Sequence, residues 1–368
     1  MDVTIFERSQ RVLTKVEISG GGRCNCTNSF RMVKDLSQVY PRGHRLMKRL
    51  FNVFNYEDAY QWFERHSVPL VTQDDECVFP KAQDSHAIID CFLSLAKRSH
   101  IKICTRERIS SLEQVRDYDC VAVTTGGSPK GEGLRWLADL GHEIEAPLPS
   151  LFTFTIKDAA LTALMGLVTP AVVQIAGTKL RADGPLLITH WGMSGPAILR
   201  LSSYAARHLA DLNYQAPLRV NWLGSTYPVE HVSDVLCAQV VRQPKKQLST
   251  YCPLGLQQRL WQYLLEKSLG ERATIRWAEL NQKDINRLVN ILTNDSYQIA
   301  GRSAFKDEFV TCGGISLKAI NPNTLESRHV PRLFFAGEVL DIDGVTGGFN
   351  FQAAWTTAYV VAQSIVNN

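Results

Sequence analysis

The chain has 368 residues, of which 45% are hydrophobic and 21% charged, and its formal net charge is +4. This composition is ordinary for a globular protein, and the length predicts two or three domains. Lysine and arginine are scattered, with no basic run longer than the pair at 245–246, so no nucleic-acid partner is expected.

The nine cysteines include no CxxC pair, which argues against a zinc site and a disulfide framework. We expect no bound metal and a reducing, cytoplasmic location. No apolar run approaches the ~20 residues of a membrane span, and the first residues lack the pattern of a signal peptide, so no membrane partner is expected. The oligomeric state is not predicted by any of these features.

The first part of the chain has the alternating strands and helices of an α/β domain. A Gly-rich segment at 18–25 follows the first predicted strand. The predicted strands are 2–6, 77–79, 101–104, 109–114 and 120–125, with 101–104 and 109–114 paired; the predicted helices are 43–66, 85–99 and 131–140.

The pattern changes at the prolines of residues 147–149. Strands are then predicted at 151–156, 171–175, 186–189 and 218–222, followed by helices that are clearest at 256–269 and 284–292. A strand at 333–336 and a helix at 350–366 return to the first pattern. These patterns predict an α/β domain split into 1–147 and 305–368, interrupted by a β-rich insertion at 148–227 and a mainly helical one at 228–304.

The most informative segment runs from the strand at 333–336 into the final helix. Gly337 and Glu338 follow the strand, and Gly347 and Gly348 open the helix. Open parallel sheets bind ligands beyond the carboxyl ends of their strands, and helix N-termini favour electron-rich groups. This pattern predicts a phosphate or flavin site in which Glu338 accepts hydrogen bonds from ribityl hydroxyls; the alternative is an ordinary strand-turn-helix.

Three further segments carry candidate binding residues. Glu7, with Arg8 beside it, ends the first strand, where dinucleotide-binding folds place an acid that binds a ribose diol. Gly21, Gly22 and Arg23 belong to a glycine-rich loop whose amides suit a pyrophosphate or a flavin ring. The alternatives are a solvated carboxylate for Glu7 and a flexible surface loop for the glycines.

Thr125 and Gly126 end the predicted strand at 120–125 and resemble the second nucleotide-contacting crossover of two-dinucleotide flavoproteins. His190, at a Gly/Pro-rich turn, is the candidate proton donor, although a single histidine is more often structural. The sequence contains no G-x-S-x-G motif, so hydrolase chemistry is not indicated.

Six blocks resemble the BaiN-like or YhiN-like bacterial NAD(P)/FAD-dependent oxidoreductases. They are ISGGGRCNCTN, VFPKAQDS, VAVTTGGSPKGEG, THWGMSGPAIL, VTCGGISLKAINPNTLESR and LFFAGEVLDIDGVTGGFNFQAAW. They follow one another in order over nearly the whole chain, and the last is highly specific.

The resemblance implies an FAD- and NAD(P)-binding, Rossmann-like domain interrupted by an inserted β-barrel-like and helical domain. It implies FAD as cofactor, ribose contact at Glu7 and cofactor-loop roles for Gly21, Gly22 and Arg23. Flavin contacts are implied at Gly337, Glu338, Gly347, Gly348 and Asn350. The family's first strand and G-x-G-x-x-G loop are absent ahead of Glu7, so reduced FAD affinity is expected.

The predicted function is FAD-dependent hydride transfer to an enone-like or other small organic substrate. NAD(P)H would bind transiently as the hydride donor, because no second complete Gly-rich loop is present. One alternative is a flavin-dependent tRNA-modifying protein, and another is a truncated flavoprotein without activity.

Overall fold

The computed structural model describes residues 1–225, 227–302 and 310–367. The chain divides into two compact units, one comprising Met1–Pro149 with Val310–Asn368 and the other Ser150–Phe309. The predicted boundary between 304 and 305 lies outside the described residues.

The N-terminal part of the first unit alternates short strands with helices. Its strands are β1 (Thr4–Glu7), β2 (Thr27–Asn28), β3 (Leu70–Thr72), β4 (Cys77–Pro80), β5 (Lys102–Thr105), β6 (Val121–Val123) and β7 (Ile144–Ser150). Its helices are α1 (Thr14–Gly22), α2 (His44–Leu50), α3 (Tyr56–Arg65), α4 (His86–Arg98) and α5 (Arg135–Asp139).

The second unit combines strands with longer helices. Its strands are β8 (Phe154–Ile156), β9 (Val168–Ile175), β10 (Arg181–Thr189), β11 (Gly192–Ser194), β12 (Ala216–Asn221) and β13 (Asp295–Arg302). Its helices are α6 (Ala159–Thr162), α7 (Pro196–Tyr204), α8 (Ala206–Asp211), α9 (Val229–Arg242), α10 (Gln258–Leu269) and α11 (Gln282–Asn294).

The chain then completes the first unit with β14 (Val310–Ile315), β15 (Leu333–Phe335) and α12 (Phe349–Val366). β1 pairs in parallel with β5, and β15 pairs in parallel with β6. β2, β4 and β3 form an antiparallel sheet, while β14 pairs with β7. β1 and β15, which both carry candidate cofactor residues at their ends, belong to the first unit.

The six strands of the second unit close into a barrel in the order β10, β11, β8, β13, β12 and β9. Buried and more exposed residues alternate along β9, where Ala171, Val173 and Ile175 are buried, as expected for a strand with one face towards the core. Barrel strands and the helices α9, α10 and α11 contribute to a single apolar core. The predicted fold class, an α/β Rossmann-like protein with a barrel-like and helical insertion, is confirmed.

Two predicted elements of the first unit were wrong. The single helix predicted over 43–66 is interrupted after α2, and α3 starts anew because the Asn55 side chain accepts hydrogen bonds from the amides of Glu57 and Asp58. The strand predicted over 109–114 contains instead a 3₁₀ turn, Leu112–Val115. Gln114 Oε1 accepts from the amides of Ser110 and Ser111, which holds this segment in a turn. The predicted pairing of 101–104 with 109–114 is therefore absent from the described residues, and β5 pairs with β1 instead.

Within the described ranges, no helix is long and apolar enough to cross a membrane.

Candidate functional site

The turn after β15 carries the acid predicted to contact the cofactor. Gly337 adopts φ +75°, and its amide donates to Thr357 Oγ1 of α12 at 2.8 Å. This left-handed conformation suits glycine and directs the chain from the buried strand into the turn that holds Glu338. The end of β15 is thus fixed by α12, the helix that follows it.

Glu338 is held between three chain segments. Its Oε1 accepts from the amide of Thr311 in β14 at 2.8 Å, and its Oε2 lies 2.8 Å from Lys15 Nζ of α1. A Cβ at Gly127 would lie 2.7 Å from Glu338 Oε1, so only glycine leaves room for the carboxylate. The predicted crossover at Thr125 and Gly126 therefore lies beside the predicted ribityl-binding acid.

Lys15 was not among the residues that the sequence patterns indicated. One local signal was available, because Lys15 is a cation in the first turn of α1, where the helix dipole favours acidic residues. Its contact with Glu338 joins residues 323 positions apart, which no local pattern indicates.

Gly347 and Gly348 lead into α12 and pack on the segment around β2. Gly348 has φ +89°, and a Cβ there would lie 2.1 Å from the carbonyl oxygen of Thr27. The Gly347 carbonyl accepts from Asn28 Nδ2 at 3.0 Å. Gly348 therefore allows two backbone segments to approach closely and brings the start of α12 against β2.

Asn350 braces this loop with its side chain. Its Oδ1 accepts from the Gly344 amide and its Nδ2 donates to the Gly344 carbonyl, both at 2.8 Å. In an α-helix the first amides have no intrahelical acceptor, and in α12 the Gln352 amide donates to the Gly348 carbonyl at 3.0 Å. Because its side chain is engaged, a contact of Asn350 with an electron-rich ligand would come from the backbone, and that contact stays a prediction.

The predicted glycine-rich loop interrupts α1. Ser19, Gly20 and Gly21 have non-helical dihedral angles. A Cβ at Gly20 would lie 2.8 Å from the Asn25 amide nitrogen, whereas a Cβ at Gly21 or Gly22 would meet nothing within 4 Å. The side of the loop on which a Cβ of Gly21 or Gly22 would lie is therefore open, while the Gly22 carbonyl accepts from the Ser85 amide at 2.9 Å.

Arg23 is engaged with its own loop. Its Nε donates to the Gly20 carbonyl at 3.2 Å, its Nη1 donates to Gln83 Oε1 at 3.2 Å, and its guanidinium lies 4.3 Å from the Phe79 ring centre. The neighbouring Cys24 is fully buried, and burial raises the pKa of its thiol to about 11. Cys24 is consequently protonated at neutral pH and is not a reactive thiolate.

Glu7 ends β1, as predicted. Its Oε1 accepts from both the amide and the hydroxyl of Ser9, each at 2.7 Å. The half-buried carboxylate is thereby oriented, while Arg8 is exposed. Such an oriented acid suits a ribose diol, and the ribose contact stays a prediction.

A set of buried side chains supports the loop between β15 and α12. Arg42 forms an ion pair with Asp343, whose side chain is fully buried. Tyr40 Oη donates to the Phe349 carbonyl at 2.8 Å, and Thr27 Oγ1 donates to Gln352 Oε1 at 2.6 Å. Because these contacts span more than 300 positions, the sequence analysis missed them.

His190 lies in the second unit, on the turn between β10 and β11. It is exposed, and its ring contacts Trp191 edge-on at a centroid distance of 4.4 Å. Trp191 Nε1 donates to Thr153 Oγ1 at 3.2 Å. His190 is thus in a different unit from the candidate cofactor residues, and its catalytic role stays a prediction.

The residues of the first unit fit a flavin dinucleotide. An anchored carboxylate at Glu338 suits ribityl hydroxyls, open backbone at Gly21 and Gly22 suits phosphates, and the first amides of α12 suit the electron-rich edge of a flavin. Neither metal coordination nor a nucleophilic side chain is needed to explain this arrangement.

Comparisons with known proteins agree with this interpretation. The chain is 27% identical to a ribosomal RNA dihydrouridine synthase of Haemophilus influenzae, over 99% of this chain and 92% of that protein. It is 25% identical to a protein of the same name from Escherichia coli, with the same coverage. It is also 25% identical to a 3-dehydro-bile acid delta(4,6)-reductase of Clostridium scindens, over 98% of this chain and 92% of the relative.

The model of the HI0933-like protein Rossmann domain matches residues 1–364. A match over nearly the whole chain includes both units and every candidate cofactor residue. The protein therefore belongs to the HI0933-like Rossmann-domain family and is an FAD-dependent oxidoreductase.

Proposed function

We propose that this protein is a flavin-dependent reductase that saturates a carbon–carbon double bond conjugated to a carbonyl group. The observation that carries the proposal is the Glu338 carboxylate, which is anchored on the Thr311 amide and lies beside Gly127. The names of the three relatives support the reaction type, because a dihydrouridine synthase and a delta(4,6)-reductase both act on such bonds. In uracil, as in an unsaturated ketosteroid, the double bond is conjugated to a carbonyl.

The chain's own residues would hold the cofactor at several points. Glu338 would accept hydrogen bonds from the ribityl chain, and Glu7 from the adenosine ribose. Gly21 and Gly22 would allow backbone approach, while the first amides of α12 would stabilise negative charge at the flavin edge. Bound FAD would supply the hydride chemistry, with NAD(P)H as a transient donor.

A reduction of this kind also needs a proton for the second carbon of the double bond. His190 remains our candidate for the proton donor, because an imidazole ring can hold and transfer a proton. Its exposed position on the β10–β11 turn leaves the ring accessible. A His190→Gln variant that keeps flavin reduction by NAD(P)H but loses substrate reduction would support this role; equal loss of both steps would contradict it.

The first substrate candidate is a uracil base within RNA. The stretch 150–309 contains 17 lysine and arginine residues against 12 aspartate and glutamate residues, whereas the rest of the chain has 23 against 24. The basic excess of the protein therefore belongs entirely to the second unit. An anionic polymer is the kind of ligand that such an unequal distribution favours.

Four cations of the second unit form a local basic surface, made of Arg242, Lys245, Lys246 and Arg276. The bridge between Gln247 and Arg276 aligns two backbone segments antiparallel and brings these residues together. All four are exposed, and none forms an ion pair within the described ranges. Unpaired cations on a fixed backbone are suited to phosphate contacts. This proposal departs from the expectation, based on the scattered lysine and arginine residues of the sequence, that the protein has no nucleic-acid partner.

The second candidate is a small unsaturated ketone of the steroid type, which the Clostridium scindens relative favours. Both candidates can be tested with one preparation. The protein is reconstituted with FAD, reduced anaerobically with NADH or NADPH, and mixed with either an enone steroid or an RNA transcript.

The two outcomes are separable by their products. We expect flavin reoxidation together with a gain of two hydrogens in the uracil of the RNA, measured by nucleoside mass spectrometry. Reoxidation by the steroid alone would favour the small-molecule substrate. A protein that binds no added FAD would contradict the proposed function and favour a chain without activity.

A further inference from the structure

We propose that Lys15 is a phosphate-binding residue for the cofactor, and that it leaves Glu338 when FAD binds. This inference rests on the proposed flavin site. In the free protein the ammonium group of Lys15 forms an ion pair with the Glu338 carboxylate, which the ribityl chain would need as a hydrogen-bond acceptor. In the complex it would contact the pyrophosphate, leaving that oxygen of Glu338 to accept hydroxyl hydrogen bonds.

The geometry brings three separate segments to one point. Lys15 Nζ lies 2.8 Å from Glu338 Oε2. A Cβ at Gly126 would lie 4.0 Å from Lys15 Nζ and 3.8 Å from Glu338 Oε2. Both charges therefore border the predicted nucleotide crossover, which has no side chain to separate them from a ligand.

The two charges are held unequally. The side chain of Glu338 is 20% exposed and its other oxygen is bound to the Thr311 amide, whereas the Lys15 side chain is 61% exposed. Exposed ion pairs contribute little to stability because water screens them and the side chains lose freedom. Lys15 can therefore exchange Glu338 for a ligand anion without disturbing the carboxylate's anchor.

The position of Glu338 identifies the part of the cofactor that Lys15 would reach. The phosphate is joined directly to the ribityl chain, so a cation within hydrogen-bond distance of the ribityl-binding acid is near the first phosphate. A lysine in the first turn of α1 gains nothing from the helix dipole, so its placement there is not explained by helix stability.

The test compares three flavins that differ in phosphate content, with two phosphates in FAD, one in FMN and none in riboflavin. FAD, FMN and riboflavin are each titrated by fluorescence into the full chain and into the variants Lys15→Gln and Lys15→Arg. For Lys15→Gln we expect about a tenfold weaker affinity for FAD, the size of one charge-assisted hydrogen bond. The affinity for riboflavin should not fall, because riboflavin has no phosphate and Glu338 is then free to bind its ribityl chain. Lys15→Arg should retain most of the FAD affinity, and the salt dependence of FAD binding should be weaker in Lys15→Gln than in the unchanged chain.

Arg11→Gln is the matched control, because Arg11 is also an exposed cation in an ion pair, with Glu17, near the same helix. It should change none of the three affinities. Thermal unfolding without flavin should be the same for all variants.

Equal loss of affinity for FAD and riboflavin, or no loss for either, would overturn the role of Lys15 while leaving the flavin site intact. Absence of flavin binding by the unchanged chain would overturn the proposed function and the inference together.

Discussion

Several side chains of the candidate site have partners that restrict what they can do for a ligand. Asn350 was predicted to contact the flavin, yet both polar atoms of its side chain bind Gly344. Glu338 keeps one oxygen on the Thr311 amide and offers the other to Lys15. The Asn350 side chain therefore shapes the loop, whereas cofactor contact at Glu338 and at the Asn350 backbone stays a prediction.

Replacing Gly127 by alanine should weaken flavin binding. The added Cβ would lie 2.7 Å from both Glu338 Oε1 and Thr311 Cβ, so the carboxylate would be displaced from its anchor. We expect affinity for FAD to fall about tenfold or more, measured by fluorescence titration. Gly133→Ala, where the nearest atom is the movable Ser128 hydroxyl at 3.2 Å, is the control. Unchanged affinity in Gly127→Ala would show that the carboxylate does not need this position.

The loop that joins β15 to α12 depends on the buried ion pair between Arg42 and Asp343. Arg42→Met would leave the fully buried Asp343 carboxylate without its main cationic partner. We expect the free energy of unfolding to fall by about 3–5 kcal/mol, measured by urea denaturation. Arg49→Met, which changes an exposed residue of the neighbouring helix α2, should alter stability by less than about 0.5 kcal/mol. Similar small effects for both variants would mean that the loop does not depend on the ion pair.

The contact between the end of α5 and the turn before β15 predicts that the free energy of unfolding depends on pH. His142 Nδ1 lies 2.8 Å from the Leu137 carbonyl oxygen, and His142 Nε2 lies 2.7 Å from Ser327 Oγ. Ser327 Oγ also accepts hydrogen bonds from the amides of His329 and Val330. Burial lowers the pKa of His142 from its usual value of 6.5. The unfolded chain therefore binds a proton at higher pH than the folded protein does.

The contribution of His142 is consequently complete above about pH 6.5 and is lost as the pH falls towards its lowered folded-state pKa. The free energy of unfolding, measured by denaturant titration, should decrease as the pH is lowered from about 7 to about 5. His142→Gln should make this decrease smaller. An identical slope in the variant would assign the pH dependence to other groups.

The unequal charge of the two units leads to a prediction about RNA binding. The triple variant Lys245→Glu, Lys246→Glu, Arg276→Glu reverses most of the basic surface of the second unit. RNA affinity at ~0.1 M salt should fall at least about tenfold, and its salt dependence should weaken, because phosphate contacts are lost. FAD affinity should be unchanged.

The triple variant Lys102→Glu, Arg106→Glu, Arg108→Glu, at three exposed cations of the first unit, provides the control for net charge. Equal loss of RNA affinity in the control would mean that overall charge, rather than this surface, attracts RNA. Gel-shift titrations at several salt concentrations measure both effects.

Local sequence predicted the fold class and the places where ligand-binding residues are concentrated. The buried run of β15, the glycines at 337, 347 and 348, and the start of α12 are adjacent in the chain, so their hydrophobicity and turn chemistry indicate a strand, a turn and a helix directly. The same reasoning was wrong over 43–66 and 109–114, because capping by Asn55 and Gln114 outweighed the hydrophobic pattern.

The partners of those residues were decided by tertiary structure. Lys15 meets Glu338, and Arg42 meets Asp343, across more than 300 positions, and the amide that anchors Glu338 comes from the next-to-last strand. Hydrophobic periodicity reports which face of an element is buried, but it carries no information about which distant side chain lies opposite. The chemical character of the site could therefore be inferred from the chain itself, whereas the pairing of its charges follows only from how the segments are brought together.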